Sequence, residues 1–75
     1  MLKLWEGHLS GTFVGHTPGR IHALPDGSFW IQVCRTVARG QHLSPRASLH
    51  QAKVDGKMYL EVDGVARRVQ VERVE

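Results

Sequence analysis

Three Asp-Gly dipeptides, at 26–27, 55–56 and 63–64, punctuate a chain of 75 residues. Each leads into or out of residues that alternate between apolar and polar. Asp-Gly supplies the positive-φ positions that a tight hairpin needs, and a period of two is the mark of a strand with one face buried. No window of about 11 residues keeps the i, i+3, i+4, i+7 apolar spacing of a helix free of glycine and β-branched clusters. The chain therefore reads as strands joined by turns.

Six strands follow from that pattern. Residues 8–14 run into the turn-forming Gly15-His16-Thr17-Pro18-Gly19, residues 20–24 follow, and Pro25-Asp26-Gly27-Ser28 turns the chain into residues 29–35. There Phe29, Ile31 and Val33 fall on one side and Trp30, Gln32 and Cys34 on the other. Residues 36–45, broken by Gly40 and Ser44-Pro45, read as a longer connection. Residues 46–54, 57–62 and 65–74 are the remaining strands. Val74 is out of phase with Val69 and Val71, which calls for a bulge or strand end near Arg73. Residues 26–33 also align without a gap on residues 55–62. A duplicated unit and simple convergence of two Asp-Gly hairpins both account for this.

Short strands in so small a chain leave wet faces and open edges unless the sheet curls on itself. The expected fold is all-β: a small five- or six-stranded antiparallel barrel, SH3-like in preference to OB-like, because the tight turns after residue 54 leave no room for a helix. Residues 8–75 form the domain and residues 1–7, with Leu2, Leu4 and Trp5, an apolar N-terminal arm.

Composition limits the function classes. A domain of this size buries only about 60% of the surface its unfolded chain exposes, so disulfides, metals or self-association commonly support it. The single cysteine, Cys34, forms no intrachain bridge. There is no signal-peptide core and no stretch approaching the roughly 20 apolar residues of a membrane span. The expectation is a soluble cytoplasmic protein, starting at its own Met1, with no membrane contact. Net charge is +3, which permits an acidic partner without requiring one.

Leu24, Asp26-Gly27, Trp30 and Gln32, preceded by Gly11-Thr12-Phe13-Val14-Gly15 and followed by Tyr59-Leu60, Val69 and Val71, resemble a family of short uncharacterised bacterial β-domains. The motif of that family reads Phe-x-Gly, then Leu-x-Asn/Asp-Gly-x-x-Trp-x-Gln. The resemblance covers about residues 9–74. It implies a single small β-domain from a small mobile gene, such as a gene cassette, and brings no activity with it. After Trp-x-Gln the family tends to an aromatic or acidic stretch, where this chain has Cys34-Arg35-Thr36-Val37-Ala38-Arg39.

The most informative charge feature is an acid-free window. Between Asp26 and Asp55 lie Arg35, Arg39, Arg46 and Lys53, with His42 and His50, and no carboxylate. Small barrels bind single-stranded nucleic acid by combining such a groove with aromatic platforms. The expected binding surface is Trp30, Gln32, Arg35, Arg39 and Arg46. Set against it are a solvated loop whose arginines serve solubility and a Trp30 buried beneath residues 36–45. His8, His16, His22, His42 and His50 lack metal-site spacing. Cys34 has only His22 as a base within plausible strand distance and reads better as a buried thiol. No nucleophile elbow or phosphate loop occurs around Ser10, Ser44 or Ser48. We therefore expect no enzymatic activity, no metal and no cofactor. The expected function is that of a binding or interaction module, with self-association through the arm or an edge strand. The alternatives are binding of single-stranded nucleic acid or another anionic partner, and an oligomeric barrel enclosing a small-molecule site.

Overall fold

The computed structural model describes residues 1–65 and 67–74. Ala66 and Glu75, which fall within the expected last strand and at the domain end, lie outside the described residues. The described chain is all-β, with eight strands: β1 (Leu2–His8), β2 (Thr12–His16), β3 (Ile21–Ala23), β4 (Phe29–Gln32), β5 (Ala38–Leu43), β6 (Arg46–Gln51), β7 (Met58–Val62) and β8 (Val69–Val74). Six of them form one sheet in the order β1-β6-β7-β8-β4-β3, and β2 pairs with β5 in a separate ribbon. Every pairing is antiparallel. The large sheet curls into a half-barrel whose edge strands, β1 and β3, do not pair with each other.

Three segments differ from the sequence reading. The expected N-terminal arm is β1, paired along β6 from Leu2 opposite Gln51 to His8 opposite Arg46. A bulge at Leu4 resets its register, so that Trp5 faces Leu49 and packs on the core while Leu2 and Leu4 stay exposed. The expected connection 36–45 contains β5, which joins β2 with Gly15 opposite Arg39 and His16 opposite Ala38. The expected strand over residues 8–14 is cut after His8. Gly11, at φ 74°, turns the corner, and Leu9 N–H donates to the Pro45 carbonyl while Ser44 N–H donates to that of Gly11. Only a residue at ease in the left-handed region makes that corner without strain.

The alternation sorts β6, β7 and β8 as expected, with Ala47, Leu49, Leu60, Val62, Val69 and Val71 turned inward and buried. Leu9, Phe13 and Leu24 complete the core, and Trp5, Trp30, Cys34, Met58 and Val65 pack against it. No bulge is needed at Arg73, because β8 pairs with β4 in continuous register and Val74 sits opposite Phe29 on the outer face.

The 26–33 and 55–62 segments share their turns but not their faces. Asp26 Oδ1 accepts from Ser28 N–H at 2.9 Å and Asp55 Oδ1 from Lys57 N–H at 3.0 Å. In β4 the inward residues are Trp30 and Gln32, whereas in β7 they are Met58, Leu60 and Val62. Aligned positions thus point to opposite sides of the sheet, as a one-residue shift in a period-two pattern requires. The likeness is one of turn chemistry.

Candidate functional site

Trp30 is held by its own turn. Its indole Nε1–H donates to Ser28 Oγ at 2.9 Å, and that hydroxyl donates to Asp26 Oδ1 at 2.6 Å. Gly27, at φ 90°, lets the turn close so that Asp26 also caps the Ser28 N–H. The Ser28 hydroxyl and then its N–H hold the Asp26 carboxyl below its ordinary range. With three polar groups satisfied in series, the ring is fixed at the sheet end, half-buried, with one side against the core.

Beside it opens a groove of about 540 Å³ between β4, β7 and β8. Trp30, Met58 and Val71 supply its apolar surface, and Asp55, Lys57, Glu72 and Arg73 its charges, two of each sign. Arg73 enters because β8 runs alongside β4 with Arg73 opposite Trp30. Lys57 enters through the Asp55-Gly56 turn that leads into β7.

The other residues of the expected binding surface lie elsewhere, since none of Gln32, Arg35, Arg39 and Arg46 lines this groove. Gln32 shares the inward face of β4 with Trp30, is 2% exposed, and donates from Nε2 to the carbonyls of Thr36 at 2.6 Å and Cys34 at 3.1 Å. Its Nε2 stitches residues 33–37 to the sheet while its Oε1 is buried without a partner, and burial of the whole side chain corrects its place on the binding surface. Arg46 is exposed but engaged, with Nη2 2.9 Å from Glu6 Oε1. Glu6 also accepts from Lys3 Nζ at 3.1 Å. Arg46 and then Lys3 hold the Glu6 carboxyl below its usual range. Arg35 and Arg39 are exposed and make no ion pair among the described residues.

The histidines divide by environment. His16 and His22 are buried around Phe13, with ring centroids 5.2 Å and 5.8 Å from the phenyl ring and 6.1 Å from each other. Burial, then the neighbouring His16 and Arg20, lowers the His22 pKa to about 4. Burial and then Arg20 lower that of His16. His50 lies 2.8 Å from Ser48 Oγ and 3.2 Å from Glu61 on the outer face. Among the described residues no group of three or more His, Cys, Asp or Glu side chains is placed to hold a metal ion.

Sequence reasoning missed Lys57, Met58 and Arg73. The Asp55-Gly56 turn marked the neighbourhood of the first two. Arg73 belongs to the site only through the pairing of β4 with β8, strands separated by three others in the chain, and no local pattern encodes that register.

Searches against protein-family models, curated proteins and solved structures found no match to the chain. No described helix is long and apolar enough to cross a membrane.

Proposed function

We propose that the protein is a non-catalytic interaction module, a small SH3-like β-domain that receives an extended polypeptide segment in the groove beside Trp30. The observation that carries this reading is the groove's make-up. A pinned indole and the Met58 thioether lie among Lys57, Arg73, Asp55 and Glu72. Aromatic residues and methionine are favoured at the centres of protein interfaces, and a charged rim sets register. Balanced charge suits a polypeptide of mixed character better than a phosphate backbone, which calls for a surplus of cations.

Selection of a random peptide library on the immobilised protein tests the reading. Enrichment of sequences that bind wild type and not the Trp30→Ala variant supports it. Failure to enrich any sequence over that control counts against it.

A second reading keeps Arg35 and Arg39 as an anion-binding face, favoured by their exposure without ion pairing among the described residues. It requires affinity for a mixed-sequence oligonucleotide that falls steeply with salt and is lost in Arg39→Glu. In either reading the protein is cytoplasmic and self-associates through the unpaired edge of β1 or β3.

A further inference from the structure

Away from the Trp30 groove, a second cavity of about 140 Å³ opens where the β1–β2 corner meets β3. Leu9 and Phe13 are its apolar walls, and Ser10, Thr12, Arg20 and His22 bring polar groups to it. At roughly 30 Å³ of liquid volume per water, the space exceeds a single solvent molecule and takes a group of several heavy atoms.

The walls are electrically one-sided. All lining residues come from positions 9–23, and from Gly7 through Pro25 the sequence contains no aspartate or glutamate. Arg20 makes no ion pair among the described residues. Its Nε is buried without a hydrogen-bond partner, and so are His22 Nε2 and both ring nitrogens of the adjacent His16. A guanidinium never gives up its proton, so Arg20 cannot relieve this by becoming neutral. The guanidinium carries donors only, its Nε is buried without an acceptor, and partial burial strengthens whatever opposite charge reaches it.

We propose that this cavity is a binding site for a small oxyanion, a carboxylate or phosphate group, with Arg20 as its charge partner and Ser10, Thr12 and His22 as the flanking polar groups. The site shares no lining residue with the groove beside Trp30, although His22 stands opposite Trp30 in the β3–β4 pairing. Two arms distinguish the sources of the same chemistry, inorganic phosphate and acetate, each titrated into ¹⁵N-labelled protein at constant ionic strength with chloride as the control.

The expected result is a saturable shift of the Arg20 Nε–H and His22 imidazole resonances with phosphate or acetate and none with chloride. Arg20→Gln weakens binding at least tenfold, Arg20→Lys retains part of it, and Lys57→Ala, in the other groove, leaves it unchanged. Absence of saturation in both arms on the wild-type protein overturns the proposal, whether or not the variants fold. So does an equal response in a folded Arg20→Gln variant. Weakened peptide binding in Lys57→Ala with intact phosphate or acetate binding separates the two sites.

Discussion

The indole nitrogen of Trp30 donates to the hydroxyl of Ser28 two residues earlier, and that hydroxyl in turn donates to Asp26. A tight turn therefore does two things: it reverses the chain between β3 and β4, and it fixes the orientation of the aromatic ring at the mouth of the groove.

Ser28→Ala should be disproportionately costly for so small a change. Ser28 is 6% exposed, and removing its hydroxyl leaves the half-buried indole N–H without its acceptor, while Asp26 Oδ1 keeps the backbone N–H of residue 28. Losing a buried hydrogen-bonding partner costs about 1–3 kcal/mol. Urea unfolding followed by tryptophan fluorescence should show a lower midpoint and, in the folded baseline, a changed Trp30 signal. A variant with the wild-type midpoint would mean that the chain of hydrogen bonds contributes nothing.

Stability should fall on mild acidification because of the two buried imidazoles. The folded pKa of His22 is about 4 against an ordinary 6.5, so between those values the unfolded chain binds more protons than the fold. That contribution is complete above pH 6.5, diminishes as pH falls towards 4 and levels off below. At about 1.4 kcal/mol per pH unit, His22 alone accounts for about 3 kcal/mol. His16 adds to it in the same direction. Unfolding midpoints at pH 7.5, 6 and 4.5 should descend in that order, and the descent should be shallower in His22→Phe.

Gly15→Ala and Gly11→Ala should differ sharply, although both residues lie in the left-handed half of φ space, at 117° and 74°. A Cβ on Gly15 runs into the carbonyl of Ala38 on the paired strand, whereas one on Gly11 meets nothing within 4 Å. Gly11→Ala should cost only the backbone term, of the order of 1 kcal/mol. Gly15→Ala adds displacement of β5 and should cost about 2–4 kcal/mol. Thermal melts of the two variants side by side decide the matter.

Arg46→Ala should leave the melting temperature nearly unchanged. Its partner Glu6 is exposed, and ion pairs of this kind are offset by water and salt. Pairing with Glu6 also withdraws Arg46 from any anion-binding face, so oligonucleotide affinity should be insensitive to this substitution. A clear loss of such affinity would restore Arg46 to the binding surface.

What the sequence made legible follows local chemistry. The Asp-Gly turns and period-two alternation located β3, β4, β6, β7 and β8 to within a few residues, because turn geometry and one-sided burial both leave a mark on neighbouring residues, whereas β2 runs through Gly15 and His16, which read as a turn. Neither β1 nor β5 carries that mark. β5 reads Ala-Arg-Gly-Gln-His-Leu, with its glycine and histidine on the half-buried side and Leu43 exposed, and it is a strand because β2 pairs with it. β1 changes face at Leu4, which erases the alternation. The same limit governed the site. Trp30 stood out as an aromatic at a turn, but Gln32, which shares its face, lies deeper and binds backbone, a difference of depth that alternation does not express. Arg73 joined the site through strand order alone.

The decisive measurement is the affinity of a library-selected peptide for wild type, Trp30→Ala, Arg73→Ala and Arg39→Glu, each shown to be folded, at low and high salt. A peptide-binding groove beside Trp30 requires saturable binding to wild type that weakens at least tenfold in Trp30→Ala. The loss should be smaller but clear in Arg73→Ala, and Arg39→Glu should match wild type at both salt concentrations. Equal affinity in wild type and Trp30→Ala, or a loss confined to Arg39→Glu and to low salt, would contradict it.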